Sequence, residues 1–276
     1  ARIEKVQQPE PDQIVLSVST VKNGRKKLLI NMSSQAARVH FTQLAYENPA
    51  VPPAFCMLLR KHIQGGRIST VEQVETERIL QFQIETVNEM GYSVSKCLIA
   101  ETMGKHSNLI LTSLEDGRII DAIKHVSIDV NRYRQILPGL PYCMPPSQGK
   151  LNFKTAGREE LLGRIAEERS VAKAVQGFSP ALENQLFRDG QAAVDPQGCA
   201  DGVLALRDAI EAEELCCRVY LSPDGSVKDV HAVLLPAYSE NLDYKEFDNP
   251  DEAMDYFYSR RLDSNRIMQR AEDLER

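Results

Sequence analysis

Cations fall at particular places in this sequence. Arg60-Lys61-His62 end an apolar stretch, and Arg67 follows the glycine pair that closes it. Lys105-His106 sit in the string Met103-Gly104-Lys105-His106-Ser107-Asn108, between two apolar runs. Lys124-His125 end a further run, and Arg132 and Arg134 come soon after. Long cationic side chains at turns and element ends can converge on one rim and neutralise phosphates. Arg60, Lys61, Arg67, Lys105 and His106 are expected on one connected face. For Arg60 and Lys61 the spacing equally suits charge at a helix C-terminus, offsetting its dipole.

Other chemistry finds little support. The chain has no G-x-S-x-G, P-loop, H-E-x-x-H or dinucleotide fingerprint. His40, His62, His106, His125 and His231 never pair at metal-ligand spacing, and the carboxylates read as solvated helix faces and turns. The six cysteines form no C-x-x-C and are expected to be buried small hydrophobes in a reducing compartment. The reading is of a protein that is not an enzyme and holds no cofactor or metal.

The net charge of −6 weakens a phosphate partner, but the charge is uneven. Residues 1–147 carry 17 Lys+Arg against 14 Asp+Glu, while residues 148–276 carry 16 against 25. Any electrostatic footprint belongs to the first half. No apolar run approaches the roughly 20 residues of a membrane span, and no signal peptide opens the chain, so a cytoplasmic protein is expected. The chain opens inside a strand and closes inside a helix, as the front part of a longer protein would.

The elements that must position these cations are mostly strands. IVLSVST (14–20) and KKLLINM (26–32) flank Asn23-Gly24, the preferred type I′ hairpin turn. After a proline-marked loop, 54–63 reads as a helix with Phe55, Leu58, Leu59 and Ile63 on one face, stopped by Gly65-Gly66. Five strand candidates fill 67–126, suggesting an antiparallel sheet. Prolines at 138–146 mark a boundary. Residues 157–188 are helical, and Gly177-Phe178-Ser179-Pro180 separates two short helices as a helix-hairpin-helix does. Such a loop can bind phosphate through backbone N–H groups, but the hairpin is short and flanked by Glu167, Glu168 and Glu183, so plain packing is favoured. A helix (202–214) and a second hairpin turned by Pro223-Asp224-Gly225 follow. A capped helix then runs from Pro250 to the end, with Met254, Phe257, Ile267, Met268, Ala271 and Leu274 on one stripe, as a coiled coil leaving the body would.

Several of these strings together carry a resemblance. NPAVPPAFCMLLRKHIQGGRI (48–68), ETERILQFQI (75–84), AETMGKHSNLILT (100–112), RQILPGLPY (134–142) and GFSP (177–180) resemble the NFACT family. The match preserves motif order over the whole chain. It implies an α+β fold whose antiparallel β-rich body, resembling the N-terminal domain of a DNA glycosylase, occupies 1–147. A helix-hairpin-helix region would fill 148–209, a returning hairpin of the body 210–249, and the start of the coiled coil 250–276. The resemblance implies RNA binding in ribosome-associated quality control. Partners would be the large (50S) ribosomal subunit with peptidyl-tRNA and a tRNA, alanyl-tRNA in bacteria, with mRNA-independent tailing of the stalled chain. It further implies that Glu77-Arg78 stands where the family has the Asp-Arg pair that tailing needs. Arg60, Lys61, His62, Arg67, Lys105, His106, Lys124, Arg132 and Arg134 would contact RNA phosphates. Read without the family, Glu77-Arg78 is a strand-edge ion pair.

Two other classes stay open. A surface adhesin for fibronectin or fibrinogen fits an older family name, without an export signal or disulfide framework. A base-excision glycosylase needs an N-terminal proline amine as nucleophile, and the chain starts Ala1-Arg2-Ile3-Glu4.

Overall fold

The computed structural model describes residues 1–214 and 216–274, with the side chains of the last helix described as far as Leu262. The chain is α+β and divides into two compact units, Ala1–Pro146 and Ser147–Arg276, at the expected proline cluster.

In the first unit, apolar-rich strands build one antiparallel sheet with residues buried on both of its faces. Its strands are β1 (Arg2–Gln7), β2 (Gln13–Thr20), β3 (Gly24–Asn31), β4 (Arg38–Thr42), β5 (Arg67–Gln73), β6 (Ile79–Val87), β7 (Ser93–Glu101), β8 (Asn108–Ser113) and β9 (Ile119–Ala122). They lie in the order β4-β3-β2-β1-β5-β6-β7-β8-β9. The hairpin β2–β3 differs from the expected type I′ turn, which needs positive φ at two central residues. Only Gly24 has it (φ 64°), and three residues lie between the paired Thr20 and Gly24.

Helix α1 (Ala54–Ile63) has the expected bounds. It starts after Pro53 and is followed by Gly65 at φ 84°. Gly66 is required for a different reason. A Cβ there would lie 2.9 Å from the Ile63 carbonyl oxygen and 3.0 Å from Ile84 Cγ2. This close passage lets Ile3 N donate to Gly66 O (2.8 Å) and brings β1 beside β5, paired at Arg2 and Arg67. Phe55, Cys56, Leu59 and Ile63 of α1 pack into a core with Ile3, Leu16, Ile30, Ile84 and Leu98. The opposite face of β6–β8 buries Ile79, Ile99 and Ile110 with Ile136 from the segment after β9. Residues alternate between the two cores because strand side chains alternate faces.

In the second unit, α2 (Arg158–Glu168), α3 (Val171–Ala174), α4 (Pro180–Leu186), α5 (Gln191–Val194) and α6 (Pro196–Glu211) surround Leu161, Ile165, Val171, Cys199 and Val203. Strands β10 (Cys217–Leu221) and β11 (Val227–His231) form the predicted hairpin. After α7 (Pro236–Asn241), β12 (Asp243–Phe247) pairs with β10, and the sheet order is β11-β10-β12. The segment 210–249, expected as a returning hairpin of the body, falls within the unit 147–276. β10 has one edge on β11 and the other on β12, so its backbone groups are taken within its own unit.

Helix α8 (Pro250–Leu274) begins with Asn249 Oδ1 accepting from Glu252 N at 3.0 Å. Ala253 and Phe257 are buried against Cys217 and Val219, so its first turns belong to the unit rather than leaving it. The stripe positions Ile267, Met268, Ala271 and Leu274 lie outside the described side chains. The cysteine expectation needs correction as well. Cys143 is exposed and Cys216 half-buried, while burial pushes the Cys97 and Cys199 thiols up to about 11.

Candidate nucleic-acid interface

Two turns meet at one end of the large sheet. Between β5 and β6, Glu75 takes a left-handed φ of 48° and Glu77 N donates to Val74 O (2.9 Å). Gln73 Nε2 donates to Glu77 O at 2.8 Å. Pairing of Ile79 with Glu101 brings the end of β7 alongside. There Thr102 donates both its N–H (2.8 Å) and its hydroxyl (3.0 Å) to the Arg78 carbonyl. The Arg78 backbone is thus clamped while its side chain stays exposed, with no ion pair among the described residues. Glu77 beside it is half-buried.

The second turn follows Thr102 directly. Gly104, at φ 57°, opens a single 3-10 turn closed by His106 N to Met103 O (3.1 Å) and Ser107 N to Gly104 O (3.0 Å). It leaves Lys105 and His106 exposed. Lys124 reaches the same end, because the Asn108 side chain donates to Lys124 O (2.8 Å) and accepts from Lys124 N (3.1 Å). Its ammonium is partly engaged by Met32 O and lies 3.9 Å from Asp12. Arg132 is exposed in the loop that leaves Lys124 and returns to the sheet through Arg134.

Arg134 is not a phosphate contact. Its guanidinium grips Glu101 with two prongs, Nη1 to Oε2 at 2.9 Å and Nη2 to Oε1. The Tyr142 hydroxyl donates to Glu101 Oε1 at 2.7 Å, and Arg134 Nε donates to Cys143 O at 2.6 Å. The side chains of Arg134 and Glu101 are 9% and 0% exposed. Burial, and then the neighbouring carboxylate, push the Tyr142 hydroxyl well above its ordinary range. This buried pair fixes the strand end from which Thr102 clamps Arg78. The sequence signal for it was faint, since 33 positions separate the partners.

The single rim expected from sequence does not form. Arg67 pairs with Glu85, six residues along β6 from Ile79, and so lies about 20 Å from the Arg78 end at strand rise. Lys61 and His62 belong with Arg67. Lys61 Nζ bonds Glu89 of the β6–β7 turn at 2.9 Å, and burial, then Lys96 and Lys61, hold the His62 imidazole below its usual range. Arg60 Nε donates to Val6 O at 3.0 Å. Lys105 and Arg67 thus occupy opposite ends, because consecutive antiparallel turns alternate ends of a sheet. Lys96, paired with Ile84, was missed; antiparallel pairing across the Asn88–Tyr92 turn could have located it.

In the second unit the helical hairpin supplies its own anion. The Glu183 carboxylate accepts from Val171 N (2.9 Å), Ala172 N (2.9 Å) and Ser170 Oγ (2.8 Å). The N–H groups that open α3 are therefore occupied. Ser179 caps α4 by accepting from Leu182 N at 3.1 Å. Among the described residues no group of three or more His, Cys, Asp or Glu is placed to hold a metal, and no helix is long and apolar enough to cross a membrane.

A family model described as NFACT N-terminal and middle domains matches residues 1–276. The chain is 36% identical to the Rqc2 homolog RqcH of Bacillus subtilis over 286 residues, covering 100% of this chain and 48% of that protein. It is 32% identical to the Rqc2 homolog RqcH of Streptococcus pneumoniae strain D39, covering 99% of this chain and 47% of that protein. The chain thus spans about half the length of these relatives. The solved N-terminal part of the fibronectin/fibrinogen-binding protein of Streptococcus suis superposes with a TM-score of 0.75 at 30% identity, over 94% of this chain and 91% of that one.

Proposed function

The chain belongs to the NFACT family, and from that premise we propose that it is the RNA-binding front part of a cytoplasmic ribosome quality control protein. On this reading it binds a large ribosomal subunit carrying peptidyl-tRNA and recruits a second tRNA, alanyl-tRNA in the bacterial case. It thereby promotes mRNA-independent tailing, and it performs no chemistry and needs no cofactor of its own. The name shared by its relatives supports the quality control role.

The observation that carries the RNA reading is the presentation of Arg78. A residue whose carbonyl is held twice by Thr102, and whose guanidinium is exposed, is a preorganised fork for phosphate. Lys105 and His106 are exposed in the turn that follows Thr102 at the same end, and Arg132 is exposed in the loop after Lys124. Glu77 in place of the family aspartate keeps the charge one methylene further out.

Co-purification of the full-length protein with 50S particles and tRNA tests the reading. Both should be retained at about 50 mM salt and tRNA affinity should fall by roughly 10³ towards 200 mM, if about six phosphates are neutralised. A protein that retains neither particle would contradict it. The name of the Streptococcus suis relative, a fibronectin/fibrinogen-binding protein, favours a second reading, an adhesin. Saturable fibronectin binding by a protein that ignores tRNA would decide for that one.

A further inference from the structure

The end of the sheet that holds Arg67 has a cleft with a composition of its own. It is open to solvent, has a volume of about 370 Å³ and is lined by Lys61 and His62 from α1, Lys96 from β7, Val87 from the end of β6, and Glu89 and Met90 from the β6–β7 turn. That volume is at the small end of the range for small-molecule pockets, suited to a ligand of nucleotide size. The turn is fixed in place: Asn88 Oδ1 accepts from Met90 N (3.0 Å) and Tyr92 N (2.9 Å). We propose that this cleft binds the phosphate of a nucleotide between Lys61, His62 and Lys96, with the base against Val87 and Met90, as a site separate from the Arg78 end.

Three observations support it. First, nitrogen bases from two different elements line one concavity, and Lys96 has no ion pair among the described residues. Second, the carboxylate in the cleft is Glu89, joined to Lys61 at 2.9 Å with side chains 80% and 58% exposed. Such a pair is weak in water, so Glu89 stands in for an anion that a phosphate displaces. Third, Val87 and Met90 are 61% and 83% exposed, an apolar wall beside the cations. A base lying on it recovers apolar burial while its phosphate meets the lysines. The charged groups facing His62 are Lys61, Lys96 and Glu89; burial first, and then Lys96 and Lys61, hold its imidazole below the usual range. A bound phosphate reverses that field and draws a proton onto His62.

The experiment follows the imidazole resonances of His62 by NMR in the whole chain, titrated with 5′-AMP and with a short single-stranded RNA. AMP should shift these resonances saturably and raise the His62 pKa. Lys96→Gln and Lys61→Met, each with unchanged thermal stability, should weaken AMP binding about tenfold or more, the loss of one charge-assisted hydrogen bond. Glu89→Gln should tighten it, and Arg78→Ala should leave it unchanged, which separates this site from the proposed RNA interface. The same His62 shift at much lower RNA than AMP concentration identifies a backbone phosphate of RNA as the source. A shift that needs as much RNA as AMP identifies free nucleotide. A His62 pKa unmoved by AMP, or a Lys96→Gln chain that binds AMP as tightly as the parent, would overturn the proposal.

Discussion

The helical hairpin of the second unit and the Arg78 end of the large sheet both gather groups that can hold an anion, and they differ in who supplies it. In the hairpin, Glu183 fills the N–H groups that open α3. At the sheet end, Glu101 engages Arg134 from beneath, and Arg78, Lys105 and His106 are left exposed. An internal carboxylate makes the first a structural joint. In the second the carboxylate is used one layer down, where it holds the Arg134 guanidinium at the strand end, and the Arg78, Lys105 and His106 side chains stay exposed. Charge in both units follows suit, since residues 148–276 are strongly acidic and residues 1–147 are not.

Breaking the buried layer should have the largest effect. Arg134→Ala leaves the buried Glu101 carboxylate with the Tyr142 hydroxyl but without its cation, and is expected to cost about 3–5 kcal/mol in urea unfolding. Replacing both, as Glu101→Leu with Arg134→Met, should recover most of that stability. A single change that costs nothing would mean the pair holds nothing in place.

Next comes the hairpin. Glu183→Ala strands two backbone donors and the Ser170 hydroxyl and should cost about 1–3 kcal/mol. It should also let the hairpin take up phosphate, while the parent hairpin, filled by Glu183, is expected not to. If the variant is as stable as the parent and still ignores phosphate, the contrast between the two regions is lost.

A smaller effect is expected from pH. The folded-state pKa of His62 is lowered, so its contribution to stability is present above the unfolded value near 6.5 and is lost as pH falls through the lowered one. Stability should therefore decline on acidification, and His62→Gln should flatten that part of the profile in thermal melts. The smallest effect is the stability change of Lys105→Ala, expected within about 0.5 kcal/mol because the side chain is exposed.

Local signals were legible where local physics decides. Pro53 and Gly65 bound α1 as read, and Ser179-Pro180 starts α4. The strands from β5 to β8 were legible as short runs rich in apolar and β-branched residues between turn signals. β12 was not, because Asp243, Tyr244, Lys245 and Glu246 are all exposed and offer no alternation. Arg134 looked like its neighbour Arg132 until the fold brought Glu101 to it. Arg67 and Lys105 looked like one rim because spacing along the chain does not say to which end a strand register sends a turn. The Glu77-Arg78 position came from resemblance, and its exposure came from the structure.

Whether Arg78 meets RNA is decided by tRNA binding of an Arg78→Ala variant of the full-length protein, with its thermal stability measured alongside. Loss of tRNA recruitment and tailing is expected, with stability changed by no more than about 0.5 kcal/mol. Arg78→Lys should be largely inactive, since lysine keeps the charge but loses the two-pronged fork, and Glu77→Asp should remain active. A folded Arg78→Ala protein that recruits tRNA at the parent level would contradict the assignment.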